Sequence, residues 1–329
     1  MKHFHLLFLA AALSAAMSVR AAPAVDIEID AGRPGAVINK HLYGQAVGQS
    51  GAGIWVGPDS TIPNIKGWRK DVVGALKALR VPLLRWPAGC VAEEYDWRDG
   101  VGARDGRPAP LLPRGAGGAN NNALGTHEFF ELVELLGADA YVNGNIGTGS
   151  AREAAEWVEY MVADGASTLA QLRAKNGHAR PYKLAYFGVG AAPWSCGGNM
   201  SAQYYADLYN QFAVFIRGKV DQPPRLVAAG DGADWTAELS TKKRIRDYRF
   251  DISAHDDAAA PGGAPAPGAA SAEQQWIAVL QRTLRVNNFI DSNVAVLDKN
   301  DAANKMSLAL GDWGGADARA PQRQDALGD

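Results

Sequence analysis

The chain has 329 residues, of which 47% are hydrophobic and 21% are charged, so it can bury a substantial core as one large domain or two smaller ones. This composition excludes a chain that is disordered throughout. The 33 lysines and arginines against 35 aspartates and glutamates leave a formal net charge of -2. Without a basic block or interleaved basic and aromatic residues, nucleic acid is excluded as the expected partner.

Residues 1–21 have the pattern of a secretory signal peptide. A lysine near the start precedes an apolar stretch from Phe4 to Met17, and small residues suited to cleavage lie near Ala21. Because the apolar stretch is short for a membrane anchor, we expect an exported, periplasmic or extracellular protein with no membrane attachment after cleavage. In an exported chain Cys90 and Cys196 could form one disulfide, and the sequence leaves open whether they are oxidised.

After this segment, strand patterns alternate with helix patterns. Residues 25–30 alternate apolar and acidic side chains and predict a half-buried strand. Apolar residues at helical spacing predict helices over residues 68–79, 126–136, 151–162, 202–216 and 273–284. Short apolar runs predict strands over residues 81–87, 140–146, 182–189, 225–229, 250–253 and 306–310. This alternation is typical of βαβ units and predicts an α/β fold with a parallel sheet, either open or closed into a barrel.

Two stretches interrupt the alternation. Residues 104–123 form a polar loop rich in glycine, proline and asparagine, longer than a structural connection needs, and we expect it to lie over a site. Residues 258–270 are of low complexity and predict a surface excursion.

Residues 184–198, LAYFGVGAAPWSCGG, combine a buried strand with a glycine-marked turn at its carboxyl end. Active sites of α/β proteins occupy that end of the strands. Between Gly190 and Trp194, however, stand Ala191, Ala192 and Pro193, whose side chains can neither donate nor accept a proton. The turn has the position of an active site without its chemistry.

Three common site motifs are absent. The glycines at 144–149 follow a strand but lack the third glycine of a dinucleotide-binding turn, with Arg152 in its place. Ser50 lies in GQSGAG, which has Ala52 where a nucleophile elbow has glycine. The histidines are scattered without the spacing of paired ligands, so we expect neither a metal nor another cofactor.

Residues 85–102, RWPAGCVAEEYDWRDGVG, are the densest cluster of aromatic and charged side chains. Aromatic rings with convergent carboxylates at the end of a strand suit a sugar, whose C–H faces stack on rings while its hydroxyls bond to acids. A salt-bridged surface turn with two buried tryptophans explains the same composition. Composition alone leaves both readings open.

This stretch, with GTHEFFELVELLGA, YVNGNIGTG, EWVEYM, LRAKNG, YFGVGAAPWSCGG and the DWG at 312–314, resembles glycoside hydrolase family 51, the α-L-arabinofuranosidases. The motifs keep the family's order and spacing from about residue 38 to 314. The resemblance implies a (β/α)8 TIM-type barrel that releases arabinofuranose from arabinoxylan or arabinan. It also implies a retaining mechanism with two glutamates about 5 to 5.5 Å apart, and a possible homo-oligomer.

The chain departs from the family at both catalytic positions. The acid/base glutamate follows asparagine in the family's G-N-E-x-W, and Ala191 and Ala192 occupy those two places here. The nucleophile belongs to D-E-W-G, where this chain has Gly311 and Asp312. The resemblance therefore implies a vacant acid/base position at Ala192 and, at Asp312, a nucleophile on a stem one methylene shorter.

Positions that contact the sugar differ as well. Gly48 stands where the family's F-I-E-H has its glutamate, and Asp256 follows His255 where the family has H-Y-Y. The substrate-binding positions implied by the resemblance are Gly48, Cys90, Trp97, Ala191, Trp194 and Asp256.

The resemblance also sets the expected domains. After a signal peptide at 1–21, residues 22–36 would supply a strand of a β-sandwich, and residues 37–329 would form a barrel lacking the eighth strand and the C-terminal β-sandwich. We expect an arabinofuranosidase scaffold with impaired or absent hydrolysis. The alternatives are a carbohydrate-binding pseudoenzyme and a non-functional fragment.

Overall fold

The computed structural model describes Glu28 and residues 30–48, 53–111, 121–242, 249–253, 272–301 and 305–312. The predicted signal peptide, most of the strand expected at 25–30 and the low-complexity segment lie outside these residues. The chain divides into two compact units, Met1–Asn39 and Lys40–Asp329. In the described part of the first unit the backbone forms a turn, where Arg33 Nε pairs with Asp30 Oδ2 at 2.6 Å.

The second unit is built on one parallel sheet. In chain order the described strands are β1 (Gln45–Ala46), β2 (Asn64–Ile65), β3 (Trp68–Arg69), β4 (Leu83–Trp86), β5 (Asp139–Gly144), β6 (Leu184–Val189), β7 (Arg225–Gly230), β8 (Arg249–Ser253) and β9 (Ser307–Asp312). β2 and β3 form a separate antiparallel pair, and the other seven lie in the order β1-β4-β5-β6-β7-β8-β9. Every neighbouring pair of the seven is parallel.

Helices connect most of these strands. They are α1 (Lys70–Ala78), α2 (Thr126–Leu136), α3 (Ala151–Val162), α4 (Thr168–Lys175), α5 (Ala202–Arg217), α6 (Ala233–Thr241) and α7 (Ala272–Asn300). The predicted helices and strands of this unit are all present, with two corrections. The helix predicted from residue 68 begins at Lys70, because Trp68 and Arg69 pair with β2 as strand β3. α7 continues well past its expected end at residue 284. α4 and α6 were not predicted. Within the described chain, no helix has both the length and the apolar character needed to cross a membrane.

Helices cover one face of the sheet, and side chains of the strands themselves pack together on the other. On the helix side, Trp86 stacks on Phe129 with ring centroids 5.4 Å apart and meets Trp157 edge-on at 6.1 Å. On the opposite face, Tyr141 and Tyr186 form a smaller buried cluster with neighbouring apolar residues. All but the first residue of β5 is buried, because helices pack on one side and the tyrosine cluster on the other.

The helices begin and end where local chemistry allows. α3 starts with a capping box, in which Ser150 Oγ accepts the Glu153 amide at 3.2 Å and the Glu153 carboxylate accepts the Ser150 amide at 2.7 Å. α2 ends at Gly137, whose φ of 67° places it in the left-handed region that terminates helices. These ends fix where the chain enters and leaves each strand.

The described sheet is open, with β1 at one edge and β9 at the other. Seven parallel strands with crossover helices confirm the predicted α/β fold of the barrel type, incomplete in the described residues. Because all seven strands run in one direction, their carboxyl ends lie side by side at one end of the sheet. We call this end the carboxyl edge.

Candidate active site

The turn after β6 carries Ala192, the predicted acid/base position. Gly190 has a φ of 83°, and a Cβ there would lie 2.5 Å from Ile146 Cγ2, so only glycine fits. Ala191 and Ala192 follow, each 5% exposed. The turn then closes on itself, because the amide of Gly197 donates to the Ala192 carbonyl at 3.0 Å. The side chain at position 192 is therefore a buried methyl group with no proton to transfer.

Glu93 lies directly against this turn. Its Oε1 accepts the amide of Ala191 at 2.6 Å and the amide of Ala192 at 2.7 Å, and the side chain is fully buried. Burial raises the pKa of the Glu93 carboxyl, and the amides of Ala191, Ala192, Ile146 and Gly147 oppose that rise. As a replacement proton donor Glu93 is poorly placed, because its carboxyl faces backbone amides rather than solvent.

A disulfide joins two of the active-site loops. Cys90, in the loop after β4, bonds to Cys196, in the turn after β6, across 106 residues of sequence. The structure thus decides the question that the sequence left open. Cys90 is a predicted sugar contact. Its sulfur is bonded to Cys196, which stands four positions after Ala192 in the sequence.

Trp194 lies on the same turn and is partly exposed. Its ring meets Trp235 edge-on, with centroids 5.6 Å apart, and Trp235 in turn packs against Tyr205 at 5.4 Å. These ring contacts pack the Trp194 indole against Trp235 beside the turn after β6. That Trp194 contacts a sugar stays a prediction.

The two tryptophans of residues 85–102 lie in the core. Trp86 is 0% exposed and Trp97 is 3% exposed. Trp97 runs parallel to Trp157 at 6.4 Å and donates its Nε1 proton to the Glu153 carbonyl at 3.2 Å. In this stretch the structure matches the reading with two buried tryptophans, and the sugar-binding role of Trp97 stays a prediction.

A small cavity lies beside this core. It has a volume of about 120 Å³ and is lined in part by Tyr95, Trp97 and Asn145. The Asn145 side chain is already engaged, because its oxygen accepts the amides of Thr148 and Gly149 at 2.9 Å each. This amide therefore serves its own loop.

The remaining predicted positions are distributed along the carboxyl edge or fall outside the description. Gly48 follows β1, and a Cβ added there would meet nothing within 4 Å. Asp312 is the last residue of β9 and pairs with Ser253 of β8. Gly48, Cys90, Ala191, Ala192, Trp194 and Asp312 thus lie at or after the carboxyl ends of strands of one sheet. Asp256 lies outside the described residues.

The polar loop at 104–123 is anchored at its start. Arg107 donates from Nη1 to Glu128 Oε2 at 3.1 Å, and Arg104 donates from Nε to Glu128 Oε1 at 3.0 Å. Both Glu128 and the Arg107 side chain are almost fully buried. That this loop covers a site stays a prediction.

Sequence reasoning missed the contact between Glu93 and the turn, because the partners are 98 and 99 residues apart. One signal was available. Gly147, Gly190 and Gly197 lie in loops at the carboxyl edge, and such glycines often mark close approach of a neighbouring group.

The comparison with known proteins agrees with this arrangement. A family model for the alpha-L-arabinofuranosidase 1 domain matches residues 75–250. The chain belongs to this family. The intracellular exo-alpha-L-arabinofuranosidase of Bacteroides ovatus is 38% identical over 320 residues, which cover 94% of this chain and 61% of that protein.

Solved arabinofuranosidases share the fold. The crystal structure of the GH51 arabinofuranosidase from Xanthomonas axonopodis pv. citri aligns with a TM-score of 0.79 at 38% identity, covering 89% of this chain and 60% of that one. The α-L-arabinofuranosidase from Thermotoga maritima aligns with a TM-score of 0.67 at 26% identity, covering 80% and 53%. These matches confirm the resemblance to glycoside hydrolase family 51. The chain spans about 60% of the length of the relatives from Bacteroides and Xanthomonas.

Proposed function

We propose that this chain carries the arabinofuranoside-recognising scaffold of its family, acting on arabinose-containing glycans with impaired or absent hydrolysis. The observation that carries the proposal is the turn after β6, where Ala191 and Ala192 are buried and their amides are bound to Glu93. A retaining glycosidase needs a carboxylic acid to protonate the departing oxygen. Position 192 has none to offer.

The proposed chemistry uses the two remaining parts of the mechanism, which are the nucleophile and the leaving group. The Asp312 carboxylate would attack C1 of the arabinofuranosyl ring while the leaving group departs with the bonding electron pair. Without general acid catalysis this step slows by about 10²- to 10⁴-fold for a leaving group that needs a proton. An aryl oxide with a low pKa leaves unprotonated, so the same step remains available for an activated substrate.

Turnover of an aryl α-L-arabinofuranoside with a good leaving group, with and without azide, tests the proposal on the folded full chain. Azide attacks C1 of the arabinosyl-enzyme without a general base, so we expect acceleration and an arabinosyl azide product. Rapid cleavage of an unactivated arabino-oligosaccharide, unaffected by azide, would contradict the proposal, because another acid would then be at work.

Restoring the acid provides the matched variant. Ala192→Glu places a carboxyl at the family's acid/base position, and we expect it to raise the rate on unactivated substrates by about 10² or more. Ala191→Glu places the same group one residue away and is expected to give no gain. Equal gains from both variants would show that position 192 has no special role.

A second candidate function is sugar binding without cleavage. The partly exposed Trp194 ring, held in place by Trp235, favours it. Calorimetric titration with an arabino-oligosaccharide separates the two candidates. Saturable binding that Trp194→Ala abolishes supports a binding protein, provided that the chain shows no turnover with or without azide. Absence of both binding and turnover would leave neither function.

We further propose export of the chain to the periplasm or exterior. The pattern of residues 1–21 and the Cys90–Cys196 disulfide, a bond typical of oxidising compartments, support export. The Bacteroides relative is named as intracellular. Fractionation of the native host tests the location: chain retained in the cytoplasm with its N-terminal segment uncleaved would contradict export.

A further inference from the structure

We propose that Glu93 is the positioning residue of the active-site turn: its carboxylate holds the backbone at residues 191 and 192 and so determines where the side chain at position 192 stands. This inference rests on the proposed function, because it assigns position 192 to the reacting end of the site. It concerns Glu93, which touches the turn but no substrate.

The first argument is that two buried backbone amides of the turn need a hydrogen-bond acceptor. The amides of Ala191 and Ala192 are buried, and their described acceptor is Glu93 Oε1. Buried amides without a partner cost about 1 to 3 kcal/mol each. A single Glu93 carboxyl oxygen that receives both amides satisfies two buried donors at once, so it is an effective anchor for this turn.

The second argument is the space around Glu93, which three glycines leave free. A Cβ on Gly197 would lie 2.8 Å from Glu93 Cδ, and one on Gly190 would lie 3.2 Å from Glu93 Oε1. A Cβ on Gly147 would lie 2.7 Å from the Glu93 carbonyl oxygen. The loops after β5 and β6 therefore close around this side chain, and larger residues at these positions would displace it or the loops.

The third argument is that Glu93 connects loops from three strands. Its own loop follows β4, its carbonyl accepts the Thr148 amide at 3.2 Å from the loop after β5, and its carboxylate binds the turn after β6. The disulfide between Cys90 and Cys196 fixes the far side of the same turn. Glu93 is thus the contact that locates residues 191 and 192, while the disulfide locates residue 196.

A spectroscopic test reads the contact directly, in the full chain labelled with ¹⁵N-alanine. We expect the amide protons of Ala191 and Ala192 at low field and protected from exchange. Glu93→Ala should return both signals to the usual alanine range and speed their exchange by at least about tenfold. Glu93→Gln, which keeps the acceptor oxygen but not the charge, should retain protection with a smaller shift.

Two further variants keep this test decisive. Gly197→Ala would place a Cβ 2.8 Å from both Glu93 Cδ and Pro193 Cα, so it should move the same two signals by disturbing the packing of the turn against Glu93. Glu94→Ala removes the neighbouring exposed carboxylate and should move neither. Unchanged Ala191 and Ala192 signals in Glu93→Ala would overturn the proposal, whatever Gly197→Ala does.

A kinetic test reads the consequence at position 192. In the Ala192→Glu background, adding Glu93→Ala should lower kcat by about 10²-fold with little change in KM, since misplacement of a reacting group costs that much. Glu93→Gln should restore most of the loss. Full kcat in the Glu93→Ala double variant would overturn the positioning role. If Ala192→Glu alone gains no activity, the proposed function fails, while the spectroscopic test still decides the role of Glu93.

Discussion

His127 is partly buried between two tyrosine hydroxyls. Its Nε2 lies 2.6 Å from the Tyr160 hydroxyl, and its Nδ1 lies 2.8 Å from the Tyr182 hydroxyl. Burial lowers the pKa of His127 from 6.5 to about 4, with the nearby Glu128 carboxylate opposing that change. The imidazole is therefore neutral in the folded chain at a pH where it is charged in the unfolded chain.

This depressed pKa makes the folded chain sensitive to acid. Between pH 6.5 and about 4 the unfolded chain binds a proton at His127 that the folded chain does not, so stability is full above this window and falls through it. The loss reaches roughly 3 kcal/mol at the acid end. Urea unfolding at pH 7, 6 and 5 measures it, with His127→Gln as the variant expected to lose less. Equal losses in both proteins would show that other groups cause the acid sensitivity.

At the scale of elements, Tyr205 of α5 links β6 and β7 near their carboxyl ends. Its hydroxyl donates to the Val189 carbonyl of β6 at 2.6 Å and accepts the Ala229 amide of β7 at 2.7 Å. Tyr205→Phe leaves both buried groups without this partner and should lower the free energy of unfolding by about 1 to 3 kcal/mol. Tyr204→Phe, at the adjacent exposed ring, is the control and should change little. Similar effects of both variants would contradict this role.

The disulfide stabilises the loops after β4 and β6 in a different way. It closes a loop of 106 residues, and limiting the unfolded chain over such a length contributes about 4 to 5 kcal/mol in the chain-entropy model. We expect dithiothreitol to lower the melting temperature of the native chain to that of the Cys90→Ser/Cys196→Ser variant. A melting temperature that reduction leaves unchanged would show that the bond contributes no stability.

Most helices with a clear apolar face were predictable, and those without one were not. α3 was predicted to its observed ends, because apolar residues repeat at helical spacing after a capping serine. α4 has few apolar side chains and was missed. The second half of α7 was missed although Val286, Phe289, Ile290, Val294 and Leu297 recur at helical spacing. In that half Asn293 is fully buried and accepts the Thr236 hydroxyl of α6 at 2.6 Å. No local pattern announces such a contact.

At the scale of the whole molecule, protection should fall from the centre of the sheet to its edges. β5 and β6 pair on both sides and are mostly buried, whereas β1 has two residues and one of them is exposed. Because opening the centre requires breaking the most structure, we expect the slowest hydrogen exchange in β5 and β6 and faster exchange in β1 and β9. Uniform exchange across the strands would indicate a single cooperative unit instead.

The fold was more predictable than the site for a physical reason. Alternating patterns determine strands and helices locally, whereas the site consists of contacts between loops far apart in sequence. The empty position at Ala192 was visible only because the surrounding motif resembles a family with a carboxyl there. The contact of Glu93 with this turn could not be predicted, since nothing in the sequence near residue 93 shows which amides its carboxyl accepts.

The order of strands in the sheet is the order of their synthesis, apart from the separate pair β2 and β3. Each new strand can join the free edge of the sheet already made, and none has to be inserted between two earlier strands. The partners of Cys90 and Glu93 lie in the segment after β6. Both contacts become possible once that segment has left the ribosome. The contacts of Glu93 with the turn after β6 can thus form on a nascent chain that still lacks β7, β8 and β9, since domains form from their N-terminal side during synthesis. Trp235, which packs on Trp194 of the same turn, follows only after β7.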